Sequence, residues 1–124
     1  MSPTRFDPYE PDLLPAVVRR YLESQRNSTR ELPADTVFTT DARVVDEDTE
    51  YLGSATIREW WTKSANQYTY TLDCIGQART ADDTWLVAGH LEGNFPGGQA
   101  DLWCRFRLDG NKVCDLLIEP PPAR

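Results

Sequence analysis

The chain has few basic residues, few cysteines and a single histidine. Lys and Arg total 13 against 20 Asp and Glu in 124 residues, a net charge of −7. Nucleic acid binding needs a basic face, so this balance argues against a DNA or RNA partner. Cys74, Cys104 and Cys114 are widely spaced without a CxxC pair, which indicates buried free thiols. Together with the lone His90 they offer no zinc-like ligand set, and we expect neither a metal nor a cofactor.

Long apolar runs are also missing from the sequence. No stretch approaches the ~20 apolar residues that span a bilayer, which argues against a membrane protein. The first residues, MSPTRFDPYEP, contain neither the basic nor the apolar region of a secretory signal, so a cytoplasmic protein is predicted. The length suits one domain. We expect a flexible arm at residues 1–11, one domain at residues 12–120 and a short tail at residues 121–124.

Helices are predicted in the first half of the chain. Asp12 is a candidate N-cap, and Pro15 is tolerable in a first turn. An amphipathic face with Tyr21 at its centre follows at helical spacing: Leu14, Val17, Val18, Tyr21, Leu22 and Gln25. A polar segment at residues 27–33 ends this helix, and a short second helix at residues 33–38 would place Phe38 in the core.

Residues 41–61, DARVVDEDTEYLGSATIREWW, combine a strand, an acidic turn and a helix. Residues 42–45 form the predicted strand, and Gly53 and Ser54 cap a helix whose apolar positions share one face. That face carries Ile57, Trp60, Trp61 and Ser64.

The rest of the chain is predicted to be β-rich. Strands at residues 68–79, 84–91, 100–108 and 113–118 are separated by short turn sequences, which favours an antiparallel meander. A sheet of this size needs helices over one face, so the fold class is α+β.

Asp46 and Tyr21 are the candidate catalytic residues. Asp46 shares the apolar, inward side of its strand with Val44, where a partly desolvated carboxylate could act as a general base. The alternative is a solvated turn residue. Tyr21 could donate a hydrogen bond to a forming oxyanion, or be an ordinary core tyrosine.

The remaining candidates are aromatic or lie on strands. Trp60 and Trp61 suit packing more often than recognition. On the strand around His90 both alternating rows are largely apolar, which suggests that a partner subunit covers the second sheet face. His90 itself is an interface residue or a pocket residue. The predicted pocket lining is Trp60, Trp61, Tyr70, His90, Leu102, Cys104 and Phe106.

The sequence resembles the NTF2-like superfamily, and within it the SnoaL-like branch of polyketide-cyclase and Δ5-3-ketosteroid-isomerase relatives. The resemblance covers about residues 13–120 through the segments VVRRYLE, TTDARVVDED, YLGSATIREWW and GNFPGGQADLWCRFRLDGNKVCDLLIE. It implies a cone-shaped domain in which a strongly curved mixed or antiparallel sheet wraps N-terminal helices around an apolar cavity. It also implies a homodimer packed through the outer sheet faces.

The resemblance places Tyr21 at the oxyanion-hole tyrosine of the isomerases and Asp46 at their proton-shuttling aspartate. The second oxyanion donor of those enzymes, a protonated acid, would fall at or next to Cys104. A thiol is a poor substitute, which argues against steroid isomerase activity.

Two hypotheses follow. One is a cofactor-free isomerase or cyclase that acts on a hydrophobic small molecule by proton abstraction. The other is a non-catalytic binding or assembly module with the same fold. Dehydratase or epoxide-hydrolase chemistry is less favoured, because neither a His–Asp dyad nor an Asp–Arg–Asp set is evident, although His90 near Asp46 would revive it.

Overall fold

A computed structural model describes residues 6–26, 34–67 and 70–121. The predictions made for residues 1–5, 27–33 and 122–124, for residue 68 and for the side chains of Gln25 and Ser64 lie outside the described part. The elements in chain order are a 3₁₀ turn Pro11–Leu13, α1 Ala16–Arg26, α2 Ala34–Val37, β1 Phe38–Asp46, β2 Thr49–Leu52, α3 Ser54–Gln67, β3 Tyr70–Ala81, β4 Thr84–Gly93, β5 Gln99–Asp109 and β6 Lys112–Glu119.

The first helix begins later than predicted. Asp12 lies inside the 3₁₀ turn and does not cap α1, so that prediction is wrong. Leu14 is extended, the conformation that a following proline favours, and this separates the turn from the helix. The carbonyl of Pro15 accepts the first helical bond, from the Arg19 backbone N–H at 3.1 Å. The predicted apolar face is buried at Leu14, Val17, Val18, Tyr21 and Leu22.

A tight hairpin joins β1 to β2 and sends α3 back over β1. Glu47 and Asp48 have φ values of 52° and 63°, as a type I′ hairpin turn requires. After β2, the Gly53 N–H donates to the Ala42 carbonyl at 2.8 Å, and Gly53 then accepts the first bond of α3 from Ile57. The predicted strand, acidic turn and helix are therefore confirmed as one unit, although β1 extends back to Phe38.

The six strands form one mixed sheet in the order β2-β1-β6-β5-β4-β3. The last four strands make the predicted antiparallel meander, and β1 joins it by pairing parallel to β6. Register shifts interrupt the ladders of β1, β3 and β5. Such bulges bend strands and increase their twist, which suits a sheet that wraps around helices.

The inner face of this sheet packs on the helices and contains most of the core. The short helix α2 leads directly into Phe38, which is buried as predicted. Apolar side chains from α1, α3 and the sheet meet there, including Val18, Tyr21, Leu22, Ile57, Val44, Phe106, Val113 and Leu116. In the described part of the chain, no helix is both long and apolar enough to cross a membrane.

The described half of the predicted N-terminal arm is docked on the edge of the sheet. Asp7 and Gln77 exchange two backbone hydrogen bonds of 2.8 and 3.0 Å. The ring of Phe6 packs edge-on against Trp103 at 5.0 Å on the outer face. The backbone N–H of Glu10 donates to the buried side chain of Gln77 at 2.9 Å. Residues 6–10 thus cover the free edge of β3.

Candidate functional site

The strand register places Asp46 in a row that crosses the sheet. Asp46 pairs with Ile118, Ile118 with Cys104, Cys104 with Val87, and Val87 with Gln77. Paired residues point to the same face, so this Asp46 row lies on the inner face with the core. Strand β1 ends at Asp46, whereas β3, β4 and β5 continue past the row. The carboxylate therefore lies where the sheet narrows from its full width to three strands.

The Asp46 row divides the inner face into two halves that differ in burial. On one side, the packed half, Val44, Leu116 and Phe106 are fully buried. On the other side, the open half, Cys74, Leu91 and Leu102 are only half-buried. Tyr70 continues the open half on β3 and is also half-buried. Leu72 is the buried exception there, and its side chain lies close over Gly89. The open half is an apolar surface beside a carboxylate.

Asp46 accepts a hydrogen bond from the indole N–H of Trp60 on α3, at 3.1 Å. Partial burial raises the pKa of the Asp46 carboxyl above its ordinary value, and the adjacent charge of Glu47 raises it further. The hydrogen bonds from Trp60 and from the Glu47 backbone act in the opposite direction. The balance favours a carboxyl that holds its proton more tightly than an exposed aspartate.

Tyr21 lies in an aromatic cluster on the packed side of the Asp46 row. Its fully buried ring is 5.5 Å from Phe106, 5.6 Å from Trp61 and 6.3 Å from Phe38, measured between centroids. Trp61 in turn contacts Trp60, the donor to Asp46, at 5.9 Å. The two predicted catalytic residues are thus linked through the two tryptophans, both of which are 5% exposed.

Cys104 lies in the Asp46 row, two strands from Asp46 and with Ile118 between them. Burial raises the pKa of its thiol to about 12, and electrostatic interactions with Cys74 and Asp46 contribute to the same shift. The thiol is therefore protonated at any physiological pH. It can act only as a weak hydrogen-bond donor beside the carboxylate.

His90 does not line the inner face, and its assignment to the pocket is wrong. Its neighbours on β4, Gly89 and Leu91, belong to the inner side, so alternation turns His90 to the outer face. There its Nδ1 lies 2.6 Å from a carboxylate oxygen of Asp101, and its Nε2 lies 3.4 Å from Glu92. These carboxylates, Asp101 first, raise the pKa of His90.

Sequence reasoning missed two contacts that depend on strand register. The His90–Asp101 pair forms across β4 and β5, where the two residues are direct partners. The Trp60–Asp46 bond forms because a two-residue hairpin folds α3 onto β1. The only signal for the second contact was the shared helical face of Ile57, Trp60 and Trp61.

The other predicted lining residues, Tyr70, Leu102, Cys104 and Phe106, do lie on the inner face. Within residues 6–26, 34–67 and 70–121, no three metal-binding side chains are grouped as a metal site.

Solved structures show the same architecture. No family model matches the sequence, and no curated protein is significantly similar to it. A candidate polyketide cyclase from Sinorhizobium meliloti is 23% identical, with a TM-score of 0.79, over 90% of this chain and 100% of that chain. An NTF2-like protein of unknown function from Exiguobacterium is 14% identical, with a TM-score of 0.71, over 87% of this chain and 100% of that chain.

A third structure contains a bound small molecule. It is a protein with a ketosteroid isomerase-like fold from Catenulispora acidiphila, in complex with trimethylamine. It is 15% identical, with a TM-score of 0.70, and the match covers 85% of each chain. The TM-scores of these three structures establish a shared architecture, and sequence identities this low carry no conclusion about the reaction. The chain therefore has the NTF2-like α+β fold shared by ketosteroid isomerase-like and candidate polyketide cyclase structures.

Proposed function

We propose that the protein is a cofactor-free acid–base catalyst of the SnoaL-like kind, acting on a hydrophobic carbonyl compound. Asp46 is the general base, and Tyr21, reaching from the packed side of the Asp46 row, donates a hydrogen bond to the developing oxyanion. The observation that carries this proposal is the Asp46 carboxyl, partly buried, with a raised pKa, at the border of an apolar surface. Within the described residues no Lys, Arg or His acts on it, so it remains available as a base.

The substrate binds on the open half of the inner face, against Leu91, Leu102 and Cys74. From there its α-carbon is presented to Asp46, which removes a proton and leaves an enolate. Removing one oxyanion donor from an enzyme lowers its rate by roughly a hundredfold or more. Because Cys104 supplies a neutral thiol in place of a second acid, the preferred substrates have α-protons made more acidic by an aryl group or a second carbonyl.

The comparisons support this proposal at the level of the fold. Two of the similar structures belong to candidate polyketide cyclases, from Sinorhizobium meliloti and Xanthomonas campestris. The complex from Catenulispora acidiphila pairs a protein of this fold with a small molecule, trimethylamine.

Deuterium exchange into β-tetralone tests the proposal. This ketone is apolar, and its α-protons are acidified by the adjacent ring. The protein and ketone are incubated in deuterium oxide, and loss of the α-proton signal is followed by NMR. We expect exchange above the buffer rate with the wild type and a loss of about a hundredfold or more in Asp46→Asn, since the amide cannot accept the proton.

Asp41→Asn is the matched control, because Asp41 is an exposed aspartate on the same strand. It should exchange at the wild-type rate. Equal activity of Asp46→Asn and the wild type would contradict the role of Asp46 as the base. Absence of exchange with β-tetralone and with other aryl ketones would contradict the reaction class.

The second candidate function is a non-catalytic binding or assembly module, favoured by the thiol at Cys104. Saturation-transfer NMR with β-tetralone separates the cases. Binding without exchange, unaffected by Asp46→Asn, indicates a ligand-binding module. Absence of binding to β-tetralone and to trimethylammonium indicates an assembly module.

We also propose a homodimer through the outer sheet face. Leu86, Ala88 and Ala78 form an apolar band there that is already buried within the chain, so the half-buried Trp103 beside them is the side chain offered to a partner. Phe6 of the docked arm already covers one end of this band. Sedimentation should give twice the monomer mass at micromolar concentration, and a monomer mass would contradict the dimer.

A further inference from the structure

Asp46 is joined to helix α3 by one side-chain hydrogen bond. The donor is the indole N–H of Trp60, at 3.1 Å from a carboxylate oxygen. Trp60 and Asp46 are 14 residues apart in the chain, so the bond connects two separate elements, α3 and the end of β1. This bond lowers the pKa of the Asp46 carboxyl, against the effect of burial.

The indole is held in place by rings on both sides of it. The ring of Tyr51 on β2 lies 5.8 Å from Trp60 with a 36° tilt, and the ring of Trp61 lies 5.9 Å away at 63°. Trp60 is 5% exposed, which leaves little room for another rotamer. The tight turn at Glu47 and Asp48 fixes β2, and hence Tyr51, against the end of β1.

We propose that Trp60 is a positioning residue for Asp46, which fixes the orientation of the carboxylate and stabilises its ionised form. This inference rests on the proposed function of Asp46 as the base. An indole N–H can donate but cannot accept, so its bond favours the carboxylate over the neutral acid. The bond occupies one oxygen and leaves the second oxygen for the proton of a substrate.

The other titratable groups around Asp46 do not duplicate this effect. Glu47, the next residue, raises the pKa of the Asp46 carboxyl. The thiol of Cys104 on β5 is neutral. On α3 the charged neighbours of Trp60, Glu59 and Lys63, are exposed. Glu50 on β2 is exposed too and lies against Arg43 at 3.3 Å. Within the described part, the Trp60 side chain thus counteracts burial more than the Glu47 backbone N–H, the other donor that lowers the pKa of Asp46.

The indole resonances of the four tryptophans provide a readout that needs no substrate. In ¹⁵N-labelled protein, the Trp60 Nε1–H signal should shift with pH as Asp46 gains its proton. Asp46→Asn should abolish that shift while the fold is retained. A Trp60 signal that titrates identically in Asp46→Asn would overturn the proposal, whether or not the protein is an enzyme.

Trp60→Phe tests the functional consequence, with Trp61→Phe as its matched control. The two tryptophans are adjacent and equally buried, and it is the Trp60 indole that donates to Asp46. In Trp60→Phe the acid limb of the pH–rate profile for β-tetralone exchange should move to higher pH. The maximal rate should also fall, by up to roughly a hundredfold, since misplaced catalytic groups lose rate on that scale.

Trp61→Phe should leave the midpoint of the acid limb unchanged, even if its rate falls through altered packing. An unchanged midpoint in Trp60→Phe, or an equal shift in both variants, would overturn the positioning role. If neither variant folds, the ¹⁵N titration of the wild type and Asp46→Asn still decides the question. If the wild type shows no exchange, the titration still tests the Trp60–Asp46 bond, so failure of the proposed function is recognised separately.

Discussion

The packed half and the open half of the inner sheet face share strands β3, β4 and β5 and the same alternation, yet they differ in burial. Phe106 is fully buried, whereas Leu102, four residues earlier on β5, is half-buried. Strands β1 and β6 extend the sheet in the packed half, where Tyr21 packs against Phe106. Alternation therefore determines which face a side chain occupies, and strand length determines whether that part of the face is filled. Asp46 lies at the border between the two.

The largest expected difference between the halves is in stability. Phe106→Ala should lower the free energy of unfolding by about 3–5 kcal/mol, because it leaves a cavity against Tyr21 in the packed half. Leu102→Ala should lower it by only about 1–2 kcal/mol, because the side chain is already half in solvent. Urea denaturation of both variants measures the difference. Equal losses would show that the open half is as tightly packed as the other.

A bulky side chain in the open half should block the ligand. Leu102→Trp is expected to weaken β-tetralone binding by about tenfold or more, which is at least about 1.4 kcal/mol. Leu108→Trp is the matched control, a half-buried leucine on the same strand beyond Phe106. Saturation-transfer NMR checks both variants. Undiminished binding in Leu102→Trp would place the ligand elsewhere.

Asp46, at the border between the two halves, should lower the free energy of unfolding at neutral pH. Because burial raises the pKa of Asp46, the folded protein holds this proton more tightly than the unfolded chain. This tighter proton binding adds to the free energy of unfolding. The added stability is complete below the pKa of the unfolded chain, about 3.9, and is lost as pH rises through the pKa of Asp46 in the folded protein. Asp46→Asn avoids that loss, and its melting temperature near neutral pH should exceed that of the wild type by a few degrees.

At a pH below the ordinary aspartate range, the higher melting temperature of Asp46→Asn should disappear. Asp41→Asn again serves as the control and should melt like the wild type at this low pH and near neutral pH. A lower melting temperature for Asp46→Asn near neutral pH would indicate that the carboxylate stabilises the fold.

The smallest effect is expected on the outer face, at His90. The pKa of His90 is raised by Asp101 first and by Glu92 second. The stability that this charged pair adds is therefore complete below the pKa of the unfolded chain, about 6.5, and is lost as pH rises through the pKa of His90 in the folded protein. His90→Gln should melt slightly below the wild type at mildly acidic pH and equally at alkaline pH. Added salt should reduce the gap, because the pair is exposed. His90→Gln should leave β-tetralone exchange unchanged, and a loss of exchange would return His90 to the site.

Most elements, and the face of most of their side chains, could be predicted from the sequence. Periodicity predicted the buried face of α1 and the four-strand meander, and turn residues predicted the acidic turn before α3, because alternation and turn residues are local properties. It also placed Asp46 on the inner face. The α+β class and the NTF2-like fold are confirmed by the solved structures with this architecture.

The contacts between elements could not be predicted in this way. Which residue of β5 lies beside His90 depends on register, and the start of α1 depends on how a proline forces Leu14 into an extended conformation. The hydrogen bond between Trp60 and Asp46 could not be predicted, because it depends on the geometry of the turn that folds α3 onto β1. The catalytic role of Tyr21 remains a prediction, since its buried ring suits both a core residue and an oxyanion donor.

The pKa of Asp46 tests the central claim most directly. Aspartate labelled at its side-chain carboxyl carbon can be titrated by ¹³C NMR, with the Asp46 signal assigned by its absence in Asp46→Asn. The account predicts a midpoint above the ordinary value of about 3.9, and a further rise when β-tetralone displaces water from the open half. A midpoint at or below the ordinary value would contradict the view of Asp46 as a buried base at the border of a ligand site.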